Sequence, residues 1–153
     1  MGSDTSMSMD EMIKVIVGLA MKVHRVLGAG FVEAVYANSL SLELIKASIS
    51  FEREKRIPVY YDDHVVGDFI ADFVIDGLLI VELKAVETLA TAHSVQVVNY
   101  LTATRIDNGL LLNFGARSLQ FKTKVRQLPR QTAYRNGHSE IPLIASPNSV
   151  NSV

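Results

Sequence analysis

Apolar positions near the start of the chain recur every three to four places. Met12, Val15, Ile16, Leu19, Ala20, Val23, Val26 and Leu27 fall on one stripe of a helix. Ser8 and Glu11 have the spacing of a capping box, and Gly28 supplies the stop. After Gly28-Ala29-Gly30, the segment FVEAVYANSLSLELIKA (31–47) holds strong helix formers and no Gly or Pro, which predicts a second helix. The pattern then changes to runs of Val, Ile, Tyr and Phe broken by Pro58, Asp62-Asp63, Gly67 and Asp76-Gly77, the mark of successive strands. SFEREKRIPVYY carries the charged alternation of a sheet edge, whereas FIADFVI and LLIVELKA are apolar enough to be central.

Helical spacing returns over residues 91–104, with Val95, Val98 and Leu101 or Thr102 expected to face inward. NGLLLNFG then reads as a buried strand. LQFKTKVR reads as a half-exposed one, with Leu119, Phe121, Thr123 and Val125 alternating against Gln120, Lys122, Lys124 and Arg126. The element order, ααβββ(β)αββ, predicts an α/β protein of the α+β kind: a central mixed sheet flanked by helices.

Composition narrows this picture. At 153 residues, 48% hydrophobic and 20% charged, the chain has the size and balance of one soluble domain able to bury a sizeable core. It has no cysteine, which excludes a disulfide framework and a thiolate zinc site and suits a cytoplasmic address. No apolar run approaches a membrane-spanning length, and the first residues lack the basic and apolar regions of a signal peptide. Residues 1–9 read as a flexible leader, 10–126 as the folded domain, and 127–153, with Pro129, Gly137, Pro142 and Pro147, as a polar, irregular tail.

The net charge of −1 hides an asymmetry: residues 1–101 hold 8 Lys/Arg against 14 Asp/Glu, and residues 102–153 hold 7 against only Asp107 and Glu140. A basic C-terminal third is compatible with phosphate contacts and equally with a solvated face. Lys122, Lys124 and Arg126 form a basic ladder on one strand face, open to the same two readings.

The chemistry lies in DFVIDGLLIVELKA (72–85), where Asp72, Glu82 and Lys84 interrupt a run otherwise suited to burial. Burying ionised groups without partners costs several kcal/mol or more each. Glu82 and Lys84, two apart in a strand, leave from one face. Asp72 joins them only if the turn has the right length. A two-residue Asp76-Gly77 loop sets Asp72 and Glu82 on opposite faces, whereas a three-residue loop sets them opposite each other on one face. In the second case two hard carboxylates on adjacent strands, with a backbone carbonyl, suit Mg²⁺ or Mn²⁺. The alternative is a structural ion-pair cluster.

Asp72, nine intervening residues, then Glu82-Leu83-Lys84 resembles the core motif of the PD-(D/E)XK nuclease superfamily. The wider set of Val23-His24, GFVEAVY (Gly30, Glu33, Tyr36), ADFVI, VELKA, QVVNYL and LLLNFG resembles the GxxExxY family placed within it. The resemblance spans about residues 10–126 and implies a restriction-endonuclease-like core with an extra N-terminal helix. It implies metal coordination by Asp72, Glu82 and the Leu83 carbonyl, with Glu33 contributing directly or through water, and catalysis by Lys84. Gln96 and Tyr100 resemble a Gln-x-x-x-Tyr element that supports such sites. Tyr36 could orient Glu33 or contact substrate.

Ala71 stands where the superfamily's name has Pro, a departure that lowers the motif's specificity. The implied activity is a Mg²⁺- or Mn²⁺-dependent nuclease acting on nucleic acid, DNA ahead of RNA, with a homodimer or higher oligomer possible. The alternative is an inactive nuclease-fold module for nucleic-acid binding or assembly. For Tyr36, Tyr100 and Gln96 a packing role stands beside the functional one. His24, next to the apolar stripe, reads as a hydrogen-bonded packing residue.

Overall fold

The computed structural model of the protein describes residues 6–127. The elements are α1 (Met9–Leu27), α2 (Glu33–Lys46), β1 (Phe51–Tyr61), β2 (His64–Ile75), β3 (Leu79–Lys84), α3 (Thr91–Thr104), β4 (Asn108–Asn113) and β5 (Gln120–Val125). Of the expected leader, residues 6–9 are described; the expected tail lies outside the described residues except for Gln127. The capping box forms as expected. Ser8 Oγ accepts from the Glu11 N–H, the Glu11 carboxylate accepts from the Ser8 N–H, and Gly28 closes α1 at φ 70°.

The strands make one five-stranded mixed sheet in the order β1-β2-β3-β4-β5. β3 and β4 are parallel, joined by α3 as a crossover, and every other neighbouring pair is antiparallel. The fold is thus α+β, a mixed sheet with helices on both faces; the element order predicted a mixed sheet flanked by helices, and the resemblance implied its restriction-endonuclease-like arrangement. One face packs on α1 and α2 through Ile16, Leu40, Phe73, Val81, Leu110 and Phe114. The other packs on α3 through Val74, Ile80, Tyr100 and Leu101. No helix among the described residues is long and apolar enough to cross a membrane.

Three inward faces differ from expectation. In α1 the buried stripe takes in Val17 and His24 and leaves Val26 outside. In α3 it is Ser94, Val97, Tyr100 and Leu101 that are buried, and Val95 is exposed. The cause is Gly109 on β4: a Cβ there would lie 2.6 Å from Val97 Cγ1, so the helix seats Val97 and Leu101 on a bare patch of strand. On β5, Phe121 and Val125 are exposed, because β5 is the sheet's edge and neither core cluster extends over them.

β1 and β2 are longer than the strands they join. β2 pairs with β3 only over Phe73–Ile75, so the rest of the β1–β2 hairpin runs on as a two-stranded ribbon past the sheet. The ribbon turns at Asp72. Ala71 packs with the α3 cluster and Phe73 with the α1–α2 cluster, although a regular strand would put both on one face. Opposite Asp72, Glu54 takes a left-handed φ of 50° that absorbs the change.

Candidate active site

The turn between β2 and β3 has the three-residue form. Ile75 pairs with Leu79, the Ile75 carbonyl accepts from the Leu78 N–H at 2.9 Å, and Asp76 and Gly77 both take left-handed φ. Extending this register puts Asp72 across from Glu82. Beyond Phe73–Val81 the backbone ladder gives way to side chains: the Asp72 N–H donates to Glu82 Oε1 at 2.9 Å, and the Leu83 N–H donates to Asp72 Oδ2 at 2.8 Å. The two carboxylates thus occupy the fork where β2 peels away from β3, each tied to the other's strand.

This arrangement is electrostatically expensive. Glu82 is 4% exposed, and burial, followed by the negative charge of Asp72, pushes its carboxyl from the ordinary 4.5 up to about 8. Lys84, half-buried on the same strand, offsets this only in part. Among the described residues no ion pair within 4 Å involves Asp72, Glu82 or Lys84, so the plain ion-pair alternative does not describe this cluster. Two converging hard oxygen donors whose charge Lys84 offsets only in part fit a divalent cation.

Other residues arrive from α3 and β4. Gln96 Nε2 donates to the Tyr100 hydroxyl at 2.6 Å. Burial, then the charge of Glu82, raises the Tyr100 phenol, which therefore stays protonated and able to donate. Its ring stacks on Phe69 at 3.7 Å between centroids. Asn113, fully buried and level with Lys84 in the parallel register, clamps the chain leaving β3. Its Oδ1 accepts from the Val86 and Gly115 N–H groups, and its Nδ2 donates to the Val86 carbonyl and to Gln120 Oε1. Sequence reasoning gave Asn113 no role, although it stands inside the LLLNFG motif. A polar residue closing the apolar run Leu110–Leu112 was the available signal.

A family model of the PD-(D/E)XK nuclease superfamily matches residues 10–128. The chain belongs to this superfamily. The crystal structure of SSO0001 shares its fold at a TM-score of 0.50 and 16% identity. That match covers 63% of this chain and 52% of SSO0001, so the chain spans about half the length of that protein. No curated protein matches the chain significantly.

Not every residue expected at the superfamily's site is gathered there. Glu33 is exposed at the first position of α2, and among the described residues no three His, Asp or Glu side chains come together closely enough to hold a metal ion. The structure places Glu33 apart from the Asp72–Glu82 pair. The helix that carries Glu33 packs on the α1–α2 face of the sheet, whereas Glu82 opens towards α3.

Tyr36 is turned into the core. It is fully buried and stacked on Phe114; its hydroxyl donates to the Gly28 carbonyl at 2.5 Å and accepts from the Phe31 N–H at 3.2 Å. It locks the α1–α2 connection. His24 packs as expected, with Nε2 3.0 Å from the Ala116 carbonyl.

The basic ladder divides. Lys122 and Lys124 lie level with Leu111 and Gly109, on the sheet face that carries Glu82, and Lys122 is exposed. Lys122, Leu111 and Glu82 share one row across three strands, which places Lys122 roughly 10 Å from Glu82. Arg126 instead pairs with Asp107 at 2.9 Å.

Proposed function

We propose that this superfamily member is a Mg²⁺- or Mn²⁺-dependent nuclease of GxxExxY type that hydrolyses phosphodiester bonds in nucleic acid, DNA ahead of RNA. The observation that carries the reading is the Asp72–Glu82 pair, with Glu82 buried and Asp72 half-buried, whose charge Lys84 offsets only in part and which has no ion-pair partner within 4 Å among the described residues. Asp72, Glu82 and the Leu83 carbonyl would hold the ion, with Glu33 reached through water. Once bound, the ion supplies a water of lowered pKa and a polarised phosphoryl group.

The chain's own residues divide the remaining work. Glu82, protonated at neutral pH without a cation, releases its proton as a cation enters. Lys84 brings an ammonium to the same face and offsets the negative charge that grows on the phosphoryl oxygens. Tyr100, oriented by Gln96, offers a neutral donor. Lys122 and Lys124 meet the phosphate backbone along the same sheet face. We place residues 10–126 as the working domain, in a cytoplasmic protein able to self-associate through its edge strands.

Incubating wild type and Asp72→Ala with single-stranded DNA, duplex DNA and RNA plus each metal tests this reading. Metal-dependent cleavage lost in the variant is expected, and cleavage unchanged in the variant sinks the assignment. A second reading, a nuclease fold kept for binding or assembly, is favoured by the outlying Glu33. Nucleic-acid binding or self-association with no Mn²⁺ effect would select it.

A further inference from the structure

The overhanging β1–β2 ribbon and α3 enclose a groove lined by Val59, Tyr60, Phe69, Asn99, Tyr100 and Arg105. Its floor is the Phe69–Tyr100 stack, and Tyr100 is the residue whose hydroxyl feels the charges of Glu82 and Asp72. The groove thus lies along β2, the strand that carries Asp72 to the fork. Phe69 lies three residues before Asp72, about 10 Å along an extended strand.

Its wall is shaped by an irregularity. The register of β1 against β2 shifts between Val59 and Tyr60, so that these consecutive residues both line the groove instead of alternating across the ribbon. The bulge presents Tyr60 63% exposed, its ring available for stacking. At the other rim Arg105, in left-handed conformation at the end of α3, is exposed and makes no ion pair with any described residue. Asn99, exposed beside it, carries both a donor and an acceptor.

We infer that this groove takes an unpaired nucleotide next to the one whose phosphate enters the carboxylate fork, and so selects single-stranded over fully paired nucleic acid. An aromatic wall, a guanidinium and an amide match a base, a phosphate and a base edge. Aromatic stacking needs a base that has left its own stack. The inference rests on the nuclease reading of the Asp72–Glu82 site for the direction in which the strand runs. DNA and RNA single strands share the chemistry.

The test is fluorescence anisotropy on the full chain in EDTA, with a labelled 12-nucleotide DNA strand, the same RNA strand and the DNA duplex. Tyr60→Ala weakens binding of at least one single strand by about tenfold and leaves duplex binding unchanged. Tyr60→Phe, which keeps the ring, binds as wild type does. Arg105→Gln lowers the slope of log affinity against log salt by about 0.7, one phosphate contact. Loss confined to DNA or to RNA, or common to both, supports the groove and tells which backbone it accepts.

Equal affinity of wild type and Tyr60→Ala for both single strands overturns the inference. So does an equal loss on duplex, or a change in oligomeric mass by light scattering, which would make the groove a contact between copies of the chain. A Mn²⁺-induced thermal shift, run in parallel and lost in Asp72→Ala, reports the metal site separately, so either claim can fail without the other.

Discussion

Removing the charge of Glu82 should stabilise the metal-free protein while destroying its site. Glu82→Gln keeps a carbonyl oxygen for the Asp72 N–H and removes the repulsion between two carboxylates. Glu82 titrates at about 8 in the fold and at 4.5 when exposed. Between these values the folded state therefore binds more protons than the unfolded state, and stability falls as pH rises through the window. Each tenfold change in proton affinity is about 1.4 kcal/mol, which sets a ceiling of about 5 kcal/mol above pH 8. Relaxation and water entry bring the observable difference to roughly 2–3 kcal/mol.

For a chain of this length that is a melting-temperature gain of roughly 5–10 °C. Thermal melts of wild type and Glu82→Gln in EDTA should coincide near pH 4, where Glu82 is neutral in both folded and unfolded states, and diverge in favour of the variant by pH 8. Mn²⁺ should then raise the wild type alone. A variant no more stable than wild type at pH 8 would refute the claim that an uncompensated charge is buried at this fork.

Lys84→Ala should lower kcat by about a hundredfold or more with Mn²⁺ affinity unchanged, as read by single-turnover cleavage beside calorimetry; a parallel loss of Mn²⁺ affinity would make Lys84 structural. Asn113→Leu strands the Val86 and Gly115 N–H groups in a buried setting and should cost about 3 kcal/mol or more in urea unfolding; a loss under 1 kcal/mol would show that the clamp is dispensable. Tyr36→Phe should cost about 1–2 kcal/mol of stability and leave kcat as it was, since its hydroxyl serves the α1–α2 connection.

The elements were legible because periodicity reports burial directly. α3 falls on the expected residues 91–104, and β3 and β4 emerge from apolar runs short enough to be strands. The site was legible only as a conditional: Asp72 meets Glu82 if the turn counts three, and the sequence alone allowed two. The pairing of Ile75 with Leu79, which leaves three residues in the loop, settles that count. What escaped was set by contacts between elements. The rotation of α3 depends on Gly109, a residue on another element. Tyr36 and Glu33 share a helix face in sequence, yet the ring of Tyr36 is drawn into the Phe114 stack and Glu33 is left in solvent. Asn113 looked like the end of a strand, and its four bonds depend on how the chain returns after Lys84.

The most direct test of the central claim is Mn²⁺ titration by calorimetry at pH 7 in two buffers of different ionisation enthalpy. A cation entering the Asp72–Glu82 fork displaces the proton that Glu82 holds, so the account predicts saturable binding with nearly one proton released per ion, abolished in Asp72→Ala. Binding that releases no proton, or that survives Asp72→Ala, would contradict it.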